Sequence, residues 1–203
     1  MLYYERKLRQ EGFDIIIGVD EAGRGPLAGP VVAGAVFLKS WRFKNRIDDS
    51  KKLSAPQREK ALAELSQKSV FAVGITNERA IDRFNILEAT RMAMEQAVSL
   101  LLKAIKKPAE KKIHILVDGN MKLSTSLDFT AIIKGDSKSK SIAAASIIAK
   151  VTRDRIMSLY HNLYPQYGFL RHKGYPTRMH RQAIEKFGMS IIHRETFICQ
   201  TVS

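Results

Sequence analysis

Four carboxylates stand where short apolar runs end: Asp20 and Glu21 after residues 14–19, Asp118 after residues 113–117, and Asp136 after residues 129–134. Ligand sites in α/β sheets gather at strand ends, where acids distant in sequence converge. Carboxylates brought together repel unless cations neutralise them. No Cys or His cluster competes, so an all-oxygen donor set points to Mg²⁺ or Mn²⁺. Two such ions roughly 3.5–4 Å apart suit in-line displacement at a phosphodiester. Each acid also has a plainer reading. Asp118-Gly119 is a common turn pair, Asp136 precedes a helix whose N-terminus an acid would stabilise, and any of the four can pair with Lys or Arg. Neighbours on a regular strand face opposite sides, so Asp20 and Glu21 share a site only if the strand breaks there; the Gly- and Pro-rich stretch that follows suggests such a break. Asp154, between Arg153 and Arg155, reads as a local ion-pair partner, and Asp48-Asp49 as part of a polar loop.

The elements that must position these acids follow from patterning. Residues 14–19 and 31–38 are β-branched and apolar and read as buried strands. Between them Gly23, Gly25, Pro26, Gly29 and Pro30 exclude a helix and demand a tight strand-to-strand turn. Ser54, Pro56 and Gln57 form a helix start of capping-box type, running to about Lys68. A third strand is expected over 70–76, a helix from Asn85 to Pro108, a fourth strand over 113–117 and a short fifth over 129–134. A helix then begins near Ser139, and Thr177 caps a last one that stops at Gly188. The order gives an α/β sandwich with a mixed sheet and helices on its faces. A single domain over residues 1–203 is expected, with about 155–203 as a mostly helical C-terminal appendage.

The chain has 203 residues and a formal net charge of +14, with 45% apolar residues. That is enough for one well-packed domain, and the charge favours a polyanionic partner. Cys199 stands alone, so neither an intramolecular disulfide nor a Cys-based zinc site is expected, in keeping with a reducing cytoplasm. The charged N-terminus is not a secretory leader, and no apolar run approaches a membrane span.

The run Asp20-Glu21-Ala22-Gly23-Arg24-Gly25-Pro26-Leu27-Ala28-Gly29-Pro30-Val31 closely resembles the opening motif of bacterial ribonuclease HII. Asp49-Ser50-Lys51-Lys52-Leu53, Val117-Asp118-Gly119, Lys134-Gly135-Asp136, residues 143–151 and His172-Lys173-Gly174-Tyr175-Pro176-Thr177 resemble that family in the same order, over roughly residues 14–197. The resemblance implies a ribonuclease H-like mixed five-stranded sheet with flanking helices. It implies cleavage of RNA in RNA–DNA hybrids and at single ribonucleotides in duplex DNA by two-metal-ion catalysis, with 3′-hydroxyl and 5′-phosphate products. It assigns metal binding to Asp20, Glu21, Asp118 and Asp136. The sister family, ribonuclease HIII, usually carries an extra N-terminal domain and lacks the Gly-Arg-Gly turn; a core strand beginning by about residue 14 favours type II.

The 2′-hydroxyl alone marks RNA against DNA at a given nucleotide, and glycine lets backbone approach a sugar closely. Gly23-Arg24-Gly25, beside the acids, would read that group, although a purely structural turn fits the glycines equally well. Resemblance suggests that Tyr175 packs on the neighbouring sugar; spacing alone gives an ordinary half-buried Tyr. Lys51, Lys52, Lys138, Arg171 and Lys173 are expected phosphate contacts, each singly no more than a solvated charge. A monomer is expected. Residues 195–203 are apolar enough to pack back on the body, which leaves a sliding-clamp partner without support. Competing readings are another nuclease or recombinase of the same fold, which would cut branched DNA without ribose, and a basic binding module, which would show salt-sensitive binding without turnover.

Overall fold

A computed structural model describes residues 1–106 and 110–199. The expected helix end at Pro108 and the last four residues of the tail lie outside them. The elements are α1 (Tyr3–Gln10), β1 (Ile15–Ala22), β2 (Val31–Leu38), α2 (Ala55–Lys68), β3 (Ser69–Thr76), α3 (Glu78–Ala104), β4 (Ile113–Asp118), β5 (Asp128–Ile132), α4 (Lys140–Leu163), α5 (Phe169–His172), α6 (Arg178–Phe187) and α7 (Glu195–Cys199). The strands form one sheet in the order β3-β2-β1-β4-β5. The β3-β2-β1 half is antiparallel, and β1-β4-β5 is parallel.

Helices cover both faces, which is why β1 is apolar almost throughout. Ile15, Ile17 and Val19 join Ala33, Ala35, Ile115 and Val117 under α3. The opposite face packs on α4, through Val36 and Leu38 with Ala144 and Ile148 and through Ile16 and Leu116 with Ile142. Each fully buried Ile or Leu there contributes about 1.5–3 kcal/mol.

Two glycines set how closely α4 lies on the sheet. A Cβ on Gly18 would sit 2.1 Å from the Ser141 carbonyl carbon, and one on Gly34 would sit 2.6 Å from the Ala145 oxygen. With Ala143, Ala144 and Ala145 opposite, helix backbone meets strand backbone directly, and the next residue, Ser146, reaches Asp20.

The expected strands and helix starts recur with shifted ends. Ser54 and Gln57 form a reciprocal capping box, and Thr177 accepts the His180 amide. Asn85 does start a helix: its side chain accepts the Leu87 and Glu88 amides. It is preceded by further helical turns capped at Asn77, so α3 begins at Glu78 and kinks at Asn85, whose φ is +67°. The fifth strand stops at Ile132 instead of continuing to residue 134, because Lys134 turns left-handed at φ +56°.

Beyond α4, Tyr167, Phe169, Ala183 and Ile192 close over Ala28 and Met157. The C-terminal helices thereby seat on the loop between β1 and β2.

Candidate active site

Asp20, Asp118 and Asp136 each offer a carboxylate oxygen, and these oxygens lie within 4.8 Å of one another. Asp20 and Asp118 reach this point from adjacent parallel strands. Asp20 lies one residue beyond the last β1–β4 pair, Val19↔Val117, and Asp118 ends β4. Asp136 comes from the one-turn helix Gly135–Ser137. Its place is fixed by Asp118, whose Oδ1 accepts the Gly135 amide at 2.6 Å. A Cβ on Gly135 would lie 3.2 Å from that oxygen and 2.6 Å from Ile142 Cδ1, so only glycine seats the turn this closely.

The helix-capping and turn roles considered for Asp136 and Asp118 fall to other residues. The N-terminus of α4 is capped by Ser139 and by the buried Glu5, which accepts from the Ser141 amide at 2.9 Å. Asp136 is therefore not spent on the helix. Asp118 points at Gly135 instead of stabilising its own turn. Asp154 pairs with Lys150 at 2.7 Å and Arg58 at 3.6 Å; its neighbour Arg155 pairs with Glu59, and Arg153 turns inward, so the flanking arginines are not its partners.

The electrostatics are those of a cation site. Burial raises the Asp20 carboxyl well above its ordinary value, and the charges of Glu21 and Asp118 add to the effect. Burial followed by the nearness of Asp118 and Asp49 raises Asp136, partly opposed by Lys51. Three converging acids, two of them buried, without enough local cations to neutralise them suit a hard divalent ion. The donor set therefore fits Mg²⁺ or Mn²⁺.

The expected strand break is absent. β1 continues in regular register through Glu21↔Ala33 and Ala22↔Val32. Alternation starts the Glu21 side chain on the opposite face of the strand from Asp20, and it does not belong to the converging triad, although at the strand end it lines the same cleft as Lys51 and Ser146. Its Oε1 instead meets Arg24 Nη1 at 3.3 Å. It remains close enough for its charge to act on Asp20, while burial raises its own carboxyl. The turn that was expected to break the strand begins only after Ala22.

A cleft of about 180 Å³ adjoins the acids: Glu21, Gly23, Arg24, Gly25, Lys51 and Tyr175 line it with Ser50 and Ser146, and Lys51, 4.0 Å from Asp136, and Ser146, beside Asp20, connect it to the triad. A larger cavity of about 750 Å³ lies on the far side of Gly25 against the α3 kink and contains none of the triad. The smaller one is not lined by the triad either, but its Glu21, Lys51 and Ser146 adjoin the carboxylates, and we place the chemistry there. The position of a Cβ on Gly25 is open except for Tyr175 Cε1 at 3.9 Å. Tyr175 is 41% exposed and presents its ring to this opening.

The basic residues separate. Lys51 stands at the rim with Nζ 4.0 Å from Asp136 Oδ2, whereas Lys52 pairs with Asp48 at 3.5 Å. Lys138 and Arg171 are exposed. Lys173 is half-buried and donates to Ser158 Oγ at 3.0 Å, so it faces α4 and not a phosphate.

Several site-building residues were not singled out from the sequence. Ser146 lies close enough to Asp20 to lower its carboxyl and meets Ser50 Oγ at 2.8 Å. Arg153 and Arg194 are fully buried and bind backbone carbonyls of the glycine-rich loop. Two Arg among many carry no local marker; for Ser146 the hints were the small-residue run and its place in the 143–151 segment that resembles the family.

The sequence model of the ribonuclease HII family matches residues 17–200. Ribonuclease HII of Caldanaerobacter subterraneus is 50% identical over 200 residues, covering 98% of this chain and 80% of that protein. Among solved structures, ribonuclease H2 of Pyrococcus horikoshii superposes with a TM-score of 0.70 at 28% identity, covering 90% of this chain and 93% of that one. RNase HII of Archaeoglobus fulgidus, solved in complex with PCNA, superposes at 0.71 with 24% identity, covering 89% and 94%.

Proposed function

The chain belongs to the ribonuclease HII family and is an endoribonuclease of RNA–DNA hybrids, and we propose that it also cuts at single ribonucleotides in duplex DNA, leaving 3′-hydroxyl and 5′-phosphate ends. The observation that carries the proposal is that the cleft lined by the Gly23-Arg24-Gly25 turn and Tyr175 adjoins the aspartate triad, through Lys51 beside Asp136 and Glu21 beside Asp20. A nuclease that merely cuts needs only the acids. One that selects ribose needs donors and acceptors at the sugar beside them.

Asp20, Asp118 and Asp136 would hold Mg²⁺ or Mn²⁺, with Glu21 close enough to bias the site by its charge. When bound, the cations supply Lewis-acid chemistry at the phosphodiester. Glu21 also tethers Arg24, which keeps that guanidinium at the cleft edge. Ser146 lies beside Asp20 and helps to favour its charged form. Gly25 leaves room for a sugar against the backbone, and the Tyr175 ring offers an apolar face to the next deoxyribose. Lys51 at the rim, and the exposed Lys138 and Arg171, would meet backbone phosphates; Lys52 and Lys173 are already engaged.

The same reading makes the protein a cytoplasmic monomer of one domain, with residues from about 155 onward as a helical appendage. Among the described residues no helix is long and apolar enough to cross a membrane. A sliding-clamp partner comes to this chain only through the Archaeoglobus complex.

The test is strand-resolved cleavage of three duplexes in Mg²⁺ and in Mn²⁺: an RNA–DNA hybrid, a DNA duplex with one ribonucleotide, and the same duplex without it. The first two should be cut, the second beside its ribonucleotide, and the third left intact. Equal cutting of the second and third would refute the sugar-reading role.

A further inference from the structure

The loop between β1 and β2 is held from inside by two arginines with no exposure to solvent. Arg194 donates through Nε to the Gly29 carbonyl at 2.9 Å, through Nη1 to Arg24 at 2.9 Å, and through Nη2 to Gly23 at 2.7 Å and Gly29 at 2.6 Å. Arg153 donates to the carbonyls of Pro30 at 3.0 Å, Ala28 at 3.1 Å and Lys173 at 2.9 Å. Burying two cations side by side is costly unless they are fully hydrogen-bonded. Here they spend their donors on this loop and on the segment leading to Tyr175. Glu78, buried and with one carboxylate oxygen lacking a partner, supplies the nearby opposite charge.

The glycines divide their roles accordingly. A Cβ on Gly23 would lie 2.2 Å from Arg153 Nε, and one on Gly29 would lie 3.4 Å from Arg153 Nη2. Gly23 makes room for the arginine and Gly29 for the Met157 sulfur, 2.2 Å from where its Cβ would lie, whereas Gly25 faces the open cleft.

The bonding pattern also dictates which way the turn presents itself. In a trans peptide the carbonyl of one residue and the N–H of the next point in opposite directions, and no peptide in the described chain is cis. Drawing the Gly23 and Arg24 carbonyls inward onto Arg194 therefore aims the Arg24 and Gly25 N–H groups outward. Among the described residues neither N–H has a hydrogen-bond partner.

We propose that Arg194, assisted by Arg153, is a positioning residue for ribose recognition: by capturing the turn's carbonyls it fixes the Arg24 and Gly25 amides as free donors facing the sugar beside Asp20. The inference rests on the sugar-reading role of the turn given above. Neither arginine touches substrate. A planar five-donor fork can hold several carbonyls at once, which an ammonium cannot.

The test compares wild type with Arg194→Lys and Arg153→Lys on a DNA duplex containing one ribonucleotide, with the Mn²⁺ affinity of the triad measured alongside to count folded sites. Since a misplacement of about 1 Å can cost about 100-fold, Arg194→Lys should lower kcat per Mn²⁺-binding site by at least about tenfold, with KM and Mn²⁺ affinity within about twofold. Arg153→Lys should lose less, because it holds the return limb of the loop and Lys173 and not the Gly23 and Arg24 carbonyls. A wild-type kcat per site in Arg194→Lys would overturn the proposal. A purely structural arginine would change the number of sites and leave kcat per site alone.

Hydrogen exchange in the wild-type protein decides the matter even if neither variant folds. In EDTA the Arg24 and Gly25 amides should exchange freely in the free enzyme, become protected when the ribonucleotide duplex binds, and stay unprotected with the all-deoxy duplex. Protection in the free enzyme would overturn the clamp and leave sugar reading standing. Equal cleavage of ribose-containing and all-deoxy duplexes by wild type would instead bring down the sugar-reading role on which the clamp depends.

Discussion

The Oδ1 atom of Asp118 accepts the Gly135 amide at 2.6 Å, which locks the end of β4 to the turn that carries Asp136. One carboxylate thus contributes an oxygen to the triad and also sets the position of another member. The two duties separate chemically. An asparagine keeps an oxygen for Gly135 but loses the negative charge. Asp118→Asn should therefore unfold at a urea midpoint close to wild type while hybrid cleavage in Mg²⁺ falls on the order of 100-fold or more. A large drop in midpoint with cleavage preserved in the folded fraction would contradict this division.

The contact of α4 with β1 has no slack at Gly18, where a Cβ would sit 2.1 Å from Ser141 backbone. Gly18→Ala should destabilise by on the order of 1–3 kcal/mol, the usual range for overpacking. Because the same contact carries Ser146 to Asp20, activity per folded molecule should fall as well. Chemical denaturation combined with cleavage assays checks both. Gly12→Ala is a poor control despite its open surroundings, since its φ is +85° and strain enters there instead.

Three buried imidazoles underpin the Tyr175 segment. The Ser190 amide donates to His193 Nδ1 at 2.9 Å, so the His193 proton sits on Nε2 and is given to His180 Nε2 at 3.0 Å. His180 then donates from Nδ1 to the Tyr175 carbonyl at 3.0 Å. All of this requires neutral rings, and burial first, with the His172 ring nearby, pushes His180 and His193 from 6.5 down to about 4. The unfolded chain therefore binds these protons more readily than the folded one. Their contribution to stability is complete above about pH 6.5 and is lost progressively as pH falls toward 4. Urea midpoints at pH 7.5 and pH 5 should differ more for wild type than for His193→Gln. An identical pH dependence in the two would contradict the neutral relay.

Much of this architecture was legible in the sequence, and what was not has physical causes. The strands and their acids announced themselves by apolar runs ending in carboxylates. Asn85 was read correctly as a cap, but the turns before it were missed, because residues 78–84 lack a clean apolar stripe and the kink makes the two halves face differently. The break between Asp20 and Glu21 was inferred from the glycines that follow, yet ladder pairing with Ala33 and Val32 holds the strand straight for two more residues. Arg153 and Arg194 were invisible because burial of a guanidinium depends on carbonyls far away in sequence, such as Gly23 for Arg194. No local spacing encodes that.

Metal and stability are linked through the same repulsion that raises the Asp20 carboxyl. Without cations at pH 7.5, Asp20→Asn should be more stable than wild type, by about 2–4 °C in Tm for each kcal/mol of repulsion relieved. Adding Mn²⁺ should raise the wild-type Tm and move the variant little. Calorimetry with EDTA and with Mn²⁺ reads both effects. A wild-type Tm indifferent to Mn²⁺ would contradict a cation site at the triad.

The central claim, that Asp20 is the pivot of a ribose-selective cutting site, meets its most direct test in one cleavage measurement. Wild type and Asp20→Asn, each confirmed folded, are assayed in Mg²⁺ on a DNA duplex carrying a single ribonucleotide. Wild type should cut beside the ribonucleotide and leave a 3′-hydroxyl and a 5′-phosphate, and Asp20→Asn should leave the duplex intact over the same period. Cleavage by Asp20→Asn at the wild-type rate would contradict the account.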